Sequence, residues 1–220
     1  ASALDMQYFI ETVVATADHV KHKLRSNKTL KLSFDEWNIW YLDEHRESDE
    51  VNDEWRVAPR QLEDVYSVAD AVVFGNLLMT LLKNHDRVGS ASLAQLVNVI
   101  APIMTEPGGD AWRQTTFFPF SVTSRLARGE VLLPRVSCGT YSTAVYGEAP
   151  LVDAVATTDS VTGASAVFLV NRSQTETLEV SIDVSDLNAT VVTEAHTLHD
   201  EDVYAKTTRS DQERVGLKDL

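Results

Sequence analysis

Cysteine is almost absent from this chain of 220 residues, and Cys138 is the only one. An internal disulfide is therefore excluded, which suits a cytoplasmic protein without requiring one. Positive charge is scarce as well, with 19 Lys and Arg against 33 Asp and Glu and a net charge of −14. Phosphate binding needs patches of Lys and Arg, so nucleic acid is not an expected partner. The acidic balance fits a soluble protein with a neutral ligand. No apolar run approaches the roughly 18 residues of a membrane span, so no membrane is expected either. Ala1-Ser2-Ala3-Leu4-Asp5 lacks the basic and apolar regions of a signal peptide, and the chain is expected to start mid-protein. No His-Glu-x-x-His, paired-Cys motif or glycine-rich phosphate loop is present, so neither a metal nor a nucleotide cofactor is expected.

What is present is ordinary for a globular protein: 44% hydrophobic and 24% charged residues, enough for one good core or two small ones. Met6, Phe9, Ile10, Val13, Val14, Ala17, Val20 and Leu24 recur at helical spacing. Asp5 is placed to cap this helix, and Lys21, Lys23 and Arg25 suit its C-terminal dipole. His19 and His22 read as a solvated helix edge rather than metal ligands, because no third ligand lies nearby.

The chain is organised around Leu32-Ser33-Phe34-Asp35-Glu36-Trp37-Asn38-Ile39-Trp40-Tyr41. Its aromatic and branched residues predict a buried strand. Two acids interrupt it. An unanswered buried polar group costs roughly 2–7 kcal/mol, so a purely structural strand has little reason to carry them. Alternation places Leu32, Phe34 and Glu36 on one side and Ser33, Asp35 and Trp37 on the other. Glu36 is then the acid at the strand's carboxyl end.

Residues 42–53, crowded with acids, read as a solvated loop. A long helix over 62–83 follows, apolar on several sides and thus expected to be heavily buried, ending at Asn84-His85-Asp86. A second strand is expected over 88–100. Strand, helix, strand in this order is a βαβ unit. A closing helix is expected over 110–127, with Gly129 as its stop. Beyond Val131 the composition turns to β-branched residues and turn formers. Strands are expected over 152–156, 166–170, 177–184 and 190–193, forming an antiparallel sandwich. His196 and His199 read as surface residues. Asn27-Lys28-Thr29, Asn171-Arg172-Ser173 and Asn188-Ala189-Thr190 fit a glycosylation pattern by coincidence.

Four segments, in order, carry a resemblance: Phe34-Asp35-Glu36-Trp37-Asn38-Ile39-Trp40-Tyr41; Val57-Ala58-Pro59 with Leu62-Glu63-Asp64; Ala94-Gln95-Leu96-Val97-Asn98-Val99-Ile100-Ala101-Pro102-Ile103; and Ala111-Trp112-Arg113-Gln114-Thr115. Together they resemble family 51 glycoside hydrolases, mostly α-L-arabinofuranosidases. The resemblance implies the C-terminal portion of a (β/α)8 barrel over residues 1–129, followed by a jelly-roll-like sandwich domain over 130–220. It implies Glu36 as nucleophile on the seventh strand and Gln95 as a sugar contact on the eighth. Trp40 and Trp37 would wall the subsite, and Asn38 would hydrogen-bond nearby. Each has a plainer reading: core packing for the tryptophans, structural bonding for Asn38, a satisfied buried amide for Gln95. Asp35 reads as a supporting acid.

In the family the acid/base lies in an Asn-Glu pair, and this sequence has none. A complete barrel needs about 250 residues, so the N-terminal half of the same enzyme is an expected partner. Residues 214–220 do not resemble closing strands. The expected substrate is an arabinofuranose-containing carbohydrate, cleaved with retention. The resemblance also implies a homo-oligomer, a hexamer. The alternatives are an endo-β-glucanase of the same family, or a non-catalytic structural, oligomerisation or carbohydrate-binding segment.

Overall fold

The computed structural model describes residues 1–50, 57, 59–187 and 191–220. The expected features at Ala58, in the acidic stretch 51–56 and at Asn188-Ala189-Thr190 lie outside the described residues.

The N-terminal part is built on two parallel strands and the helices that cover them. Helix α1 (Ser2–Lys23) leads into strand β1 (Leu32–Trp37). Asp5 sits in the first turn of α1 rather than capping it; Ala1 is the cap and makes no side-chain bond. Helix α2 (Leu42–Glu50) replaces the expected loop over residues 42–50. It lacks an apolar stripe, so hydrophobic periodicity could not have revealed it.

Helix α3 (Val68–Lys83) starts six residues later than the sequence suggested, because Ser67 and Asp70 form a reciprocal capping box. Leu62, five residues ahead of that cap, has a φ of +53°, which is not helical. Strand β2 (Val88–Leu93) lies parallel to β1, with Leu32 opposite Val88 and Trp37 opposite Leu93. The βαβ expectation holds, but β2 stops at Leu93 and residues 94–100 turn rather than extend.

The core forms where Ala3, Trp37, Phe74, Leu77 and Leu81 meet, bringing α1, β1 and α3 together. Burying each of the larger side chains contributes roughly 2 kcal/mol. Nine residues of α3 are buried, as its multi-sided apolar pattern demands.

The next region departs from expectation. Residues 110–127 are not one helix. Strands β3 (Ile103–Thr105) and β4 (Ala111–Arg113) form an antiparallel hairpin, and only Phe117–Leu126 is helical, as α4. The hairpin turn runs through Gly108, whose φ is +67°.

The remainder is antiparallel. Strand β5 (Glu130–Leu132) pairs with β8 (Val152–Thr158), which pairs with β9 (Ser165–Asn171). Strands β6 (Thr140–Thr143) and β7 (Gly147–Pro150) form a separate hairpin. Residues 177–184 form no strand despite their alternation, and neither do 191–193. Alternation prepares a strand, but a ladder needs a neighbour, and no described residue pairs with them. Conversely, Leu217–Asp219 is a strand, β11, antiparallel to β10 (His196–Leu198), contrary to the reading of 214–220.

Polar contacts among the described residues bind the antiparallel region to α3. Asp153 of β8 faces Asn76 and Lys83, and Arg172 joins the same cluster. Residues 203–206 run beside the first turn of α3. The amides of Val68 and Ala69 donate to the carbonyls of Ala205 (3.0 Å) and Val203 (2.8 Å). These two N–H groups would otherwise have no partner inside the helix.

Candidate active site

The parallel strands end side by side, and the expected site residues cluster around those ends. Phe34 and Trp37 both turn toward the helices. Phe34 meets Phe9 edge-on at 5.9 Å, and Trp37 lies 4.9 Å from Phe74. Two residues three apart cannot face the same way on a regular strand. The pairing with β2 shifts register between Phe34 and Trp37, which accounts for it. The expected grouping of Glu36 with Phe34, and of Asp35 with Trp37, is therefore corrected. Glu36 and Asp35 are both exposed. Asp35 accepts from Ser33 Oγ at 2.5 Å, and Ser33 Oγ also meets Ser90 Oγ at 2.8 Å.

Glu36 thus stands free at the strand end. Among the described residues no side chain or amide bonds to its carboxylate.

Gln95 follows β2 and is exposed, while its main-chain N–H donates to Ile100 O at 3.0 Å. Asn38 ties the two strand ends together. Its side-chain amide donates to Ala94 O at 2.5 Å and also to Ile100 O. Its own oxygen accepts from Ile39 N at 2.8 Å. Both donors are committed to main chain, so Asn38 holds the Gln95 segment in place. The ring of Trp37, 6% exposed, belongs to the core, whereas Trp40 is 55% exposed. Of the five expected residues, Glu36, Trp40 and Gln95 remain on the open surface.

Sequence reasoning missed the group that fixes the loop after Glu36. Tyr66 Oη donates to Ile39 O at 2.9 Å, and Tyr41 N donates to Asp64 Oδ2 at 3.1 Å. Tyr41 Oη donates to Asp70. Burial pushes both tyrosine hydroxyls well above their usual range. At Tyr41 the bond to Asp70 adds to burial; at Tyr66 the charges of Asp64 and Asp70 do. Gln114, 0% exposed, donates to Asp64 O (2.9 Å) and Ala101 O (2.7 Å) and accepts from Tyr66 N (2.9 Å). Only the Ser67-Val68-Ala69-Asp70 spacing was legible as a capping box. The other partners lie far apart in sequence.

Concavities among the described residues lie near these elements. One, of about 300 Å³, is lined by Tyr41, Glu44, His45, Asp64 and Lys206. Another, of about 460 Å³, lies between α1 and β1, lined by Met6, Phe9, Phe34, Asn38 and Leu77. Neither is lined by Glu36, Trp40 or Gln95. Among the described residues no three His, Cys, Asp or Glu side chains gather as a metal site, and no helix is long and apolar enough to cross a membrane.

Comparison with known proteins gives a consistent picture. Residues 35–220 match the family described as "Alpha-L-arabinofuranosidase C-terminal domain". The chain is 54% identical over 219 residues to an exo-α-(1→6)-L-arabinofuranosidase of Bifidobacterium longum, covering 99% of this chain and 42% of the relative. It is 56% identical over 215 residues to an intracellular exo-α-(1→5)-L-arabinofuranosidase of Streptomyces lividans, covering 98% of this chain and 32% of the relative. Among solved structures, a family 51 α-L-arabinofuranosidase from Bifidobacterium longum superposes with a TM-score of 0.95 at 42% identity, covering 100% of this chain and 44% of that one. The chain therefore spans less than half the length of these relatives.

Proposed function

The chain belongs to the α-L-arabinofuranosidase C-terminal domain family, and on that footing we propose that it is the C-terminal part of a retaining, exo-acting α-L-arabinofuranosidase. In this reading β1 and β2 are the last two strands of a (β/α)8 barrel over residues 1–129, and residues 130–220 form its sandwich domain. Glu36, ionised, attacks the anomeric carbon of a terminal arabinofuranose and forms a covalent glycosyl-enzyme. A second carboxylate, about 5–5.5 Å away in retaining enzymes, protonates the leaving oxygen and then activates water. That carboxylate comes from the N-terminal half. Water releases arabinose with retained configuration.

The observation that carries the reading is the unpaired Glu36 carboxylate at the end of a parallel strand, beside the segment that presents Gln95. Gln95 bonds sugar hydroxyls, Trp40 walls the subsite, and Trp37 and Asn38 support the strand ends from behind. The names of the relatives support exo action on α-(1→5) or α-(1→6) arabinofuranosyl bonds and a cytoplasmic location. Assembly as a hexamer is part of the same reading.

The test is Glu36→Ala in the full-length enzyme with an aryl α-L-arabinofuranoside. Turnover should fall by at least about 10³-fold with thermal stability unchanged. Azide should restore release of the aryl group and give a glycosyl azide of inverted configuration. Turnover close to that of the unaltered enzyme would overturn the assignment.

The missing Asn-Glu pair favours a second statement: the isolated chain performs no turnover. Adding the N-terminal half should restore it. Turnover by the chain alone would refute this.

A further inference from the structure

Resting on the reading of Trp40 as the subsite wall, we propose that Tyr41 and Tyr66 are positioning residues whose hydroxyls fix the Trp40 ring against the sugar. Trp40 is large, more than half exposed, and has no side-chain hydrogen bond among the described residues. A ring in that position is placed by the main chain on either side of it. That main chain is held at both neighbours. On one side the Ile39 carbonyl accepts from Tyr66 Oη at 2.9 Å. On the other, Tyr41 is bound at its amide by Asp64 and at its hydroxyl by Asp70.

The anchors are themselves fixed. Tyr66 is fully buried, and its ring centroid lies 6.1 Å from that of Tyr41. Asp70 also accepts from Ser67 N at 2.7 Å and from Ser67 Oγ at 2.8 Å, which locks it to the start of α3. A buried hydroxyl bonded to a carbonyl or carboxylate fixes one direction in space. Two such bonds, one on each side of Trp40, leave its backbone little room to rotate. Pre-ordering a binding residue lowers the cost of ligand binding, and small misplacements in a sugar site weaken it. The hydroxyls therefore act on substrate binding through Trp40, touching no substrate themselves.

The experiment uses the full-length enzyme with 5-fluorotryptophan, and Trp40→Phe identifies the Trp40 fluorine signal. Tyr41→Phe, Tyr66→Phe and the double variant remove only hydroxyls. Arg125→Ala, at an exposed ion pair with Glu194, is the control. Each Tyr→Phe change should raise KM for an aryl arabinofuranoside about fivefold, the effect of one ordinary hydrogen bond. kcat should change less, and the Trp40 signal should shift or broaden while that of Trp112 stays in place. The control should leave KM and the Trp40 signal unmoved. Lower thermal stability with unchanged KM and Trp40 signal would overturn the proposal. If Trp40→Ala itself leaves KM unchanged, the subsite reading fails instead, and the fluorine signal still decides whether the tyrosines hold the ring.

Discussion

Asn38 and Ala94 join the ends of the two parallel strands: the side-chain amide of Asn38 donates to the Ala94 carbonyl at 2.5 Å. The same amide reaches the Ile100 carbonyl. Asn38→Ala removes both bonds in a half-buried site and should destabilise the protein by about 2 kcal/mol. Asn38→Asp should cost more, because it sets a carboxylate against two carbonyl oxygens. Urea unfolding of both variants checks the order.

Asp153 is the charged centre of the contact between α3 and β8. It accepts from Asn76 at 2.6 Å and Arg172 at 2.7 Å, and from Lys83. Asp153→Ala leaves two partly buried cations without their anion and should cost about 3 kcal/mol. Burial pushes the Asp153 carboxyl up, but the Lys83 hydrogen bond and the charges of Lys83 and Arg172 outweigh it and hold the carboxyl below its usual range. A depressed folded-state value stabilises the fold above the unfolded value, about pH 4, and that contribution disappears as pH falls through the folded value. Melting temperatures from pH 6 to pH 2.5 should fall more steeply in the unaltered protein than in Asp153→Asn at the acid end.

Gln114 satisfies three main-chain groups from full burial. Gln114→Leu keeps most of the volume and strands all three, which should cost about 3 kcal/mol. The urea midpoint should drop with little change in slope.

Gly129 links α4 to β5 with a φ of +78°, and an added Cβ would lie 2.1 Å from the Thr158 carbonyl oxygen. Gly108 has a φ of +67° and open space around it. Gly129→Ala should therefore cost well over 1 kcal/mol, and Gly108→Ala only about 1 kcal/mol. Thermal melts of the two variants separate a steric clash from a conformational cost.

Much of this fold was legible where burial and period agree. The aromatic run into Trp37, the helical spacing from Met6 to Leu24 and the all-round apolar α3 each name their own element. The hairpin Ile103–Thr105 with Ala111–Arg113 was not read, although Pro107-Gly108-Gly109 is a turn signal. Residues 177–184 show the opposite failure. Their alternation is clean, but strand formation depends on a partner that periodicity cannot supply. Glu36, Gln95 and Trp40 are candidates through the motif that carries them. The roles of Tyr66, Asp70 and Gln114 were not legible, because the bonds from Tyr66 to Ile39, from Tyr41 to Asp70 and from Gln114 to Tyr66 and Asp64 each span 25 or more positions and are joined only by folding.

The backbone carbonyls of Val203 and Ala205 complete the first turn of α3. Backbone groups cannot be replaced by choosing another side chain. A chimaera that exchanges the C-terminal region for a foreign β module must therefore reproduce the path of that short strip of chain, whatever its sequence. Grafts made at a convenient linker that ignore the path would leave two helix amides bare, next to the aspartate on which Tyr41 depends.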